Sequence, residues 1–336
     1  MSLFPLMEPG RNVVVSTRLY GGSVTQFTHT IKRFGWGATF VDFDDLDAVK
    51  AAINDDTRAI FCETIANPGG YVTDLEAIAK IAQDAQVPLI VDNTTATPYL
   101  CNPIQYGATL VTHSLTKYLT GNGTVTGGAV VDSGAFDWTA AGKFPSLTEP
   151  EPAYHGLKFH ETFGPAAFTF HSIAIGLRDL GMTMNPQGAH YTLMGIESLS
   201  LRMDKHVANA EKIAKWLEGH DAVSSVTYAG LDSSPYKARA ERLCPKGAGA
   251  LFTVQLKGGY ESCVKFVNGL ELFSHVANLG DARSLVIHPA STTHRQLTDA
   301  QKVAAGAAPD SVRLSIGVED ADDLMRDLDQ ALKAAG

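Results

Sequence analysis

From residue 12 to about residue 132, short β-branched and aromatic runs alternate with amphipathic stretches: NVVVST, ATFVDF, RAIFCET, PLIVDN, ATLVTHS and GGAVVD. Strand-length runs separated by helical patterns predict a mainly parallel sheet with helices on its faces. Between the third and fourth runs, TDLEAIAKIAQDA places Leu75, Ile78, Ala79 and Ala82 on one helical face. It opens with Thr73 three residues before Glu76, the spacing of a capping box. Residues 133–165 lose this rhythm and are rich in Pro, Gly and aromatics, which predicts a long surface loop near a functional site or an interface. One long helical pattern then runs from about Gln187 to Glu218.

A second set of apolar runs follows: AVSSVTYAG, GALFTVQL, LFSHVANLG, SLVIHP and SVRLSIGV. The chain closes on EDADDLMRDLDQALKAA, with Leu324, Leu328 and Leu332 at helical spacing behind acidic residues that suit a helix start. The pattern predicts an α/β protein with a large domain over residues 1–215 and a smaller α/β domain over 216–336.

Composition narrows the function. A chain of 336 residues with 45% hydrophobic and 19% charged residues can bury a large core, and no run of roughly 18 apolar residues could cross a bilayer. A net charge of −9 argues against an electrostatic grip on nucleic acid or an anionic membrane, so an anionic ligand must be held locally. Cys62, Cys101, Cys244 and Cys263 are widely spaced, which predicts neither a zinc site nor a disulfide framework and fits a cytoplasmic setting. The histidines form no His-x-x-x-His pair beside a helical glutamate, and no metal site is expected.

In an open parallel sheet, ligands gather at the carboxyl ends of the strands. Polar side chains stand there at Tyr20, Glu63 to Asn67, Asp92 to Thr94, and Ser114 to Lys117. A carboxylate at one strand end and a lysine at another match the needs of pyridoxal phosphate, whose aldehyde condenses with an amine and whose ring nitrogen is held protonated by a carboxylate. Lys117 and Asp92 are the candidates, with Ser114 and Thr116 as hydroxyl donors to the phosphate, Tyr20 as a stacking face and Asn67 as a partner of the ring oxygen. Each has an ordinary alternative. A lysine after a strand is commonly a solvated loop residue, Asp92 suits an Asx-turn, and Asn67-Pro68-Gly69-Gly70 is a turn signal. Arg313, inside a strand-like run, needs a partner from the protein or from a ligand.

Six stretches together resemble the Cys/Met-metabolism family of PLP-dependent enzymes, over essentially the whole chain: STRLYGGS, CETIANPGGYVTDLEAIA, VDNTTATPYLCNPIQYGATLVTHSLTKYLTGNGTVTGG, IESLSLRMDKHVANA, NLGDARSLVIHPASTTH and VRLSIGVEDADDLMRDLDQAL. The resemblance implies a type I, aspartate-aminotransferase-like fold. It makes Lys117 the Schiff-base lysine, Asp92 the partner of the pyridinium, Tyr20 the stacking ring and a possible acid or base, and Ser114 and Thr116 the phosphate ligands. Asn67 would reach the ring hydroxyl. Arg313, with Asn278 and Thr293, would hold the substrate carboxylate. Within the family the segments from His160 to Met203 and Gly280 to Leu297 are nearest the O-acetylhomoserine sulfhydrylase branch. That branch implies γ-replacement on an O-acylated homoserine by sulfide or a thiol, giving homocysteine or methionine, in a homo-oligomer. The neighbouring expectations are cystathionine γ-synthase, or methionine or cystathionine γ-lyase.

Relatives are expected to carry a further N-terminal stretch with a phosphate-binding helix terminus and a Tyr-x-Arg segment. MSLFPLMEPG reads as the end of the helix that follows it. A chain without that stretch raises the alternative of a cofactor-poor structural or interaction protein.

Overall fold

The computed structural model describes residues 3–68, 70–293, 295, 298, 302, 303 and 306–336. Six strands form the first sheet: β1 Asn12–Ser16, β2 Gly37–Val41, β3 Thr57–Glu63, β4 Leu89–Asp92, β5 Leu110–Ser114 and β6 Gly128–Asp132. Their order is β2-β1-β3-β4-β5-β6, parallel throughout except for β6, which runs antiparallel to β5. All six expected runs are strands. The helices that accompany them include α1 Leu46–Ala52 and α2 Leu75–Asp84.

Alternate residues of each strand point to opposite faces, and along the central strands both faces are buried. Val14, Ile60, Cys62, Val91 and Val111 face a core built with α2 and with residues of the second sheet. Val13, Val15, Ala59, Phe61, Ile90 and Leu110 face a separate cluster with Trp138, Phe144, Leu147, Phe159 and Phe168. Those aromatics correct the expected surface loop over residues 133–165. A parallel sheet needs cover on both faces, and here short helical turns bring fully buried Trp138, Phe144 and Leu147 onto one of them. The expected capping box is also absent. Asp74 caps α2 by accepting from Ala77 N, while Thr73 Oγ1 donates to Glu63 O at 2.7 Å, so the hydroxyl serves the strand end instead.

The helical pattern from Gln187 to Glu218 is two helices, α3 Pro186–Glu197 and α4 Leu199–Glu218, separated at Ser198 (φ −101°, ψ 4°). The Arg202 guanidinium crosses the break, donating to Gly195 O at 2.6 Å and Ser198 Oγ at 3.1 Å. Beyond it lie β7 Val223–Thr227, α5 Lys237–Leu243, β8 Leu251–Leu256, α6 Gly259–Gly269, β9 Ser274–His275, β10 Leu285–Ile287, β11 Ser311–Ser315 and α7 Ala321–Ala335. The second sheet runs β7-β8-β11-β10-β9, antiparallel except between β9 and β10. Asp320 caps α7 through the amides of Asp322 and Asp323, and Leu324, Leu328 and Leu332 are buried as the spacing requires. The N-terminal end of the described chain forms a single turn, Phe4–Leu6, where a helix end was expected.

Gly195 marks a close approach. A Cβ there would lie 2.4 Å from Leu119 O and 2.5 Å from Thr120 O, backbone atoms of the turn that carries Lys117. Overpacking against backbone outweighs the better helix propensity of alanine, so Gly195→Ala is expected to destabilise the protein by about 1–2 kcal/mol. The thermal midpoint of the cofactor-free protein checks this, and an unchanged or raised midpoint contradicts it.

Candidate active site

The carboxyl ends of β3, β4 and β5 meet at one edge. Glu63 and Asp92 are Cα partners in the parallel pairing of β3 with β4, so their side chains stand next to each other. Asp92 Oδ1 accepts from Thr94 N at 2.9 Å, the Asx-turn that the sequence allowed. Thr94 Oγ1 accepts from Ser114 N at 2.8 Å and ties the end of β4 to that of β5.

Three residues on, Lys117 lies in an irregular helical turn with φ −95° and ψ −135°. That turn is gripped from outside. Arg202 Nη1 donates to Tyr118 O at 2.8 Å, Gly121 O accepts from Ala282 N at 2.8 Å, and a Cβ at Gly280 would come within 2.7 Å of Tyr118 N. The amine is consequently held inward, where Nζ donates to Asn278 Oδ1.

From the second sheet, Arg313 reaches the same cleft. Val312 and Leu314 pack into the core, and the intervening Arg313 points the other way by the period of two. Its Nη1 donates to Asn67 Oδ1 at 3.1 Å and its Nη2 to Asn278 O at 2.6 Å, while Nε is buried without a partner among the described residues.

The structure therefore brings Tyr20, Asn67, Asp92, Ser114, Lys117, Asn278 and Arg313 around one cleft. Thr116 is outside its lining, with Oγ1 accepting from Gly127 N at 3.1 Å, and Thr293 is also outside it. Gly69 of the Asn-Pro-Gly-Gly turn lies outside the described residues. Tyr20 is 48% exposed, with its ring folded over Gly22, where a Cβ would meet Tyr20 Cε1 at 2.4 Å. The space that Gly22 supplies is filled by this ring.

Sequence reasoning gave Glu63 no role. It is buried, with Oε1 accepting from Tyr20 N at 2.7 Å and Oε2 from Asn67 N at 2.9 Å. The available signal was an acidic residue ending a strand that neighbours the strand of Asp92, and it required the strand order. Thr94, named among the polar strand-end residues, was likewise given no role.

Burial governs the electrostatics. It raises the Glu63 carboxyl, helped by the charge of Asp92 and opposed by the two amides. Asp92 is also raised, by burial, against hydrogen bonds from Thr94 and Thr112. Lys117 is pushed down to about 8 by burial and then by Arg313, and burial lowers Arg313 to about 10. A lysine of this kind holds a usable neutral fraction near neutrality, the condition for a nucleophilic or basic amine.

Residues 1–333 match the family model described as Cys/Met metabolism PLP-dependent enzyme. The chain is 45% identical to the O-acetyl-L-homoserine sulfhydrylase of Leptospira meyeri, covering 99% of this chain and 77% of that protein. It is also 45% identical to the homocysteine synthase of Schizosaccharomyces pombe, over 100% of this chain and 79% of the relative. The crystal structure of an O-acetylhomoserine (thiol)-lyase from Campylobacter jejuni, which contains a pyridoxyl-lysine monophosphate, superimposes with a TM-score of 0.95 at 39% identity, covering 99% of this chain and 79% of that one. Cystathionine γ-lyase from Lactobacillus plantarum, complexed with L-serine, gives 0.84 at 32% identity over the same shares. These likenesses assign the type I PLP-enzyme fold, and by sequence and by structure the chain belongs to the Cys/Met metabolism family of PLP-dependent enzymes.

Proposed function

We propose that this chain replaces the γ-substituent of an O-acylated homoserine, O-acetyl-L-homoserine first among them, with sulfide or a thiol. The observation that carries the reading is the convergence of Lys117, Asp92 and Arg313 on one cleft in a chain so similar to sulfhydrylases. The donor set fits the family's cofactor. Lys117 supplies an amine, Asp92 a carboxylate for the pyridine nitrogen, Ser114 a hydroxyl for the phosphate, Tyr20 a ring and Asn67 an amide, whereas Thr116, expected beside Ser114, stands outside this lining. When bound, the cofactor supplies an electron sink for charge developing at the substrate α carbon.

The chain's own residues do the rest. Lys117 Nζ takes a proton from the α carbon and later from the β carbon, and returns protons at the end. Its lowered pKa keeps part of the amine neutral for that task. Arg313 offers a fork to the substrate carboxylate, with Asn278 beside it. The C–O bond at the γ carbon breaks with loss of the carboxylate leaving group, and a C–S bond forms there. Sulfide plus O-acetylhomoserine gives homocysteine and acetate, and methanethiol gives methionine.

The two-domain division near residue 215, a cytoplasmic setting and a homo-oligomer belong to the same reading. Supporting the oligomer, Phe170, Ile173, Leu180, Leu193, Met194 and Leu201 expose between 42% and 74% of their surface in the segment from residue 170 to 201, and such apolar exposure marks association surfaces.

Three outcomes follow. The purified protein supplied with PLP, O-acetylhomoserine and sulfide forms homocysteine, and Lys117→Ala lowers the rate by on the order of 10³-fold or more. Elimination products without a C–S bond would instead favour the γ-lyase reading. Lys117 also leaves a trace in stability. Because its folded pKa lies below the ordinary value, the protein gains stability as pH rises from 8 to 10.5 and loses it on the way down. Lys117→Met in the cofactor-free protein is therefore expected to raise the urea midpoint below pH 8, with the advantage fading as pH approaches 10.5. A pH-independent difference contradicts this. Finally, sedimentation is expected to find an oligomer that Ile173→Asp combined with Leu193→Asp shifts toward monomer, and a monomeric parent removes that part of the proposal.

A further inference from the structure

Glu63 is a buried acidic residue to which the reaction above assigns no task. Its carboxylate receives two hydrogen bonds from two separate segments, Tyr20 N after β1 and Asn67 N after β3. The charge of another acid, Asp92, adds to the cost of ionising it. Burying a carboxylate there is costly, and a neutral glutamine would offer one acceptor oxygen where two amides must be met. The arrangement therefore calls for an explanation in what those amides carry.

Each carries one side of the cleft. Tyr20 presents the exposed aromatic ring at the mouth. Asn67 passes the constraint onward, its Oδ1 accepting from Arg313 Nη1, while Arg313 Nη2 donates to Asn278 O and Asn278 Oδ1 accepts from Lys117. The backbone at this point is also braced from the second sheet, where Thr253 Oγ1 donates to Pro68 O at 2.6 Å. One carboxylate thus stands at the junction of the loop bearing the ring and the loop bearing the partner of the guanidinium.

We infer that Glu63 is a positioning residue that fixes the Tyr20 face and the Asn67–Arg313 pair relative to each other, so that one buried carboxylate sets both the seat of the cofactor ring and the seat of the substrate carboxylate. The inference rests on the function proposed above for the identity of those two ligands, and on the geometry alone for the coupling.

The test uses the full chain with Glu63→Gln and Glu63→Asp. Loss of one amide partner is expected to weaken PLP binding to the cofactor-free protein and to raise KM for O-acetylhomoserine, each by about tenfold or more. KM for sulfide, which does not use Arg313, stays within about twofold on the same scale. Glu63→Asp, with the charge but one methylene less reach, shares the defect. A residue that only stabilises the fold would lower the thermal midpoint without moving PLP affinity or the amino-acid KM of the folded protein, and that result overturns the inference. So does a normal Glu63→Asp beside a defective Glu63→Gln, because charge and not reach would then be responsible. Should neither variant fold, amide exchange in the unmutated cofactor-free protein decides: the Tyr20 and Asn67 amides are expected to be protected and to open together, and exchange of either at an exposed-loop rate overturns the coupling. If the unmutated protein forms no homocysteine, the functional reading fails while the exchange measurement still judges the coupling.

Discussion

The parallel register between β3 and β4 is the constraint on which the cleft depends. It makes Glu63 and Asp92 neighbours at the strand ends, and the Thr94 hydroxyl carries the same alignment across to Ser114 on β5. A slip of one residue between these two strands would turn one carboxylate to the other face of the sheet and bring an apolar neighbour into the site. The register is protected because both faces are occupied, one by a core that continues into the second sheet and the other by the aromatic cluster around Trp138. Packing far from the chemistry therefore decides which side chains reach it.

The cleft also opposes ionisation of both signs. Burial raises Glu63 and Asp92 and lowers Lys117 and Arg313, so the carboxyls and the cations are each displaced toward their neutral forms. Simple pairing would have driven these groups the other way. The carboxyls stand together on the first sheet, and the guanidinium enters from the second, bound to an amide oxygen and a carbonyl. A ligand with a protonated ring nitrogen near Asp92 and a carboxylate near Arg313 complements both ends of such a cleft.

Much of this could be read from the chain alone because it follows local periodicity. The six apolar runs, the strand-end positions of Asp92 and Lys117, and the leucine spacing of α7 are all patterns within a short window. What escaped depends on contacts distant in sequence. Glu63 gains its meaning from Tyr20, 43 residues away, and Arg202 from Tyr118, 84 residues away. The break at Ser198 was hidden because helical residues continue on both sides, and only the guanidinium across it and the backbone pressed against Gly195 mark the place. Residues 133–165 looked like surface because Pro and Gly interrupt every pattern there, although an aromatic side chain can be buried from an irregular backbone as well as from a helix.

The same distinction explains how two sheets can share one site. The cleft is bounded by Asp92 and Lys117 from one sheet and Arg313 from the other, so its width is set by how the two sheets are joined. Helix α4 buries Met203, Ala210, Ile213 and Leu217 in the core that contains residues of both. At the edge of that junction, Asp44 after β2 accepts from Arg18, Tyr236 and Arg239, and Arg242 of α5 pairs with Asp74 and Glu76 at the start of α2. Exposed ion pairs contribute little one at a time, but these converge from β1, β2, α2 and α5, and Arg18 lies two residues before Tyr20. Apolar burial supplies the adhesion between the sheets, and the polar contacts select one alignment among the many that burial alone would accept. Positioning of this kind is needed where a guanidinium and an amine must act on one small molecule from different sheets, because an error of an ångström in their separation is enough to forfeit the geometry of the reaction.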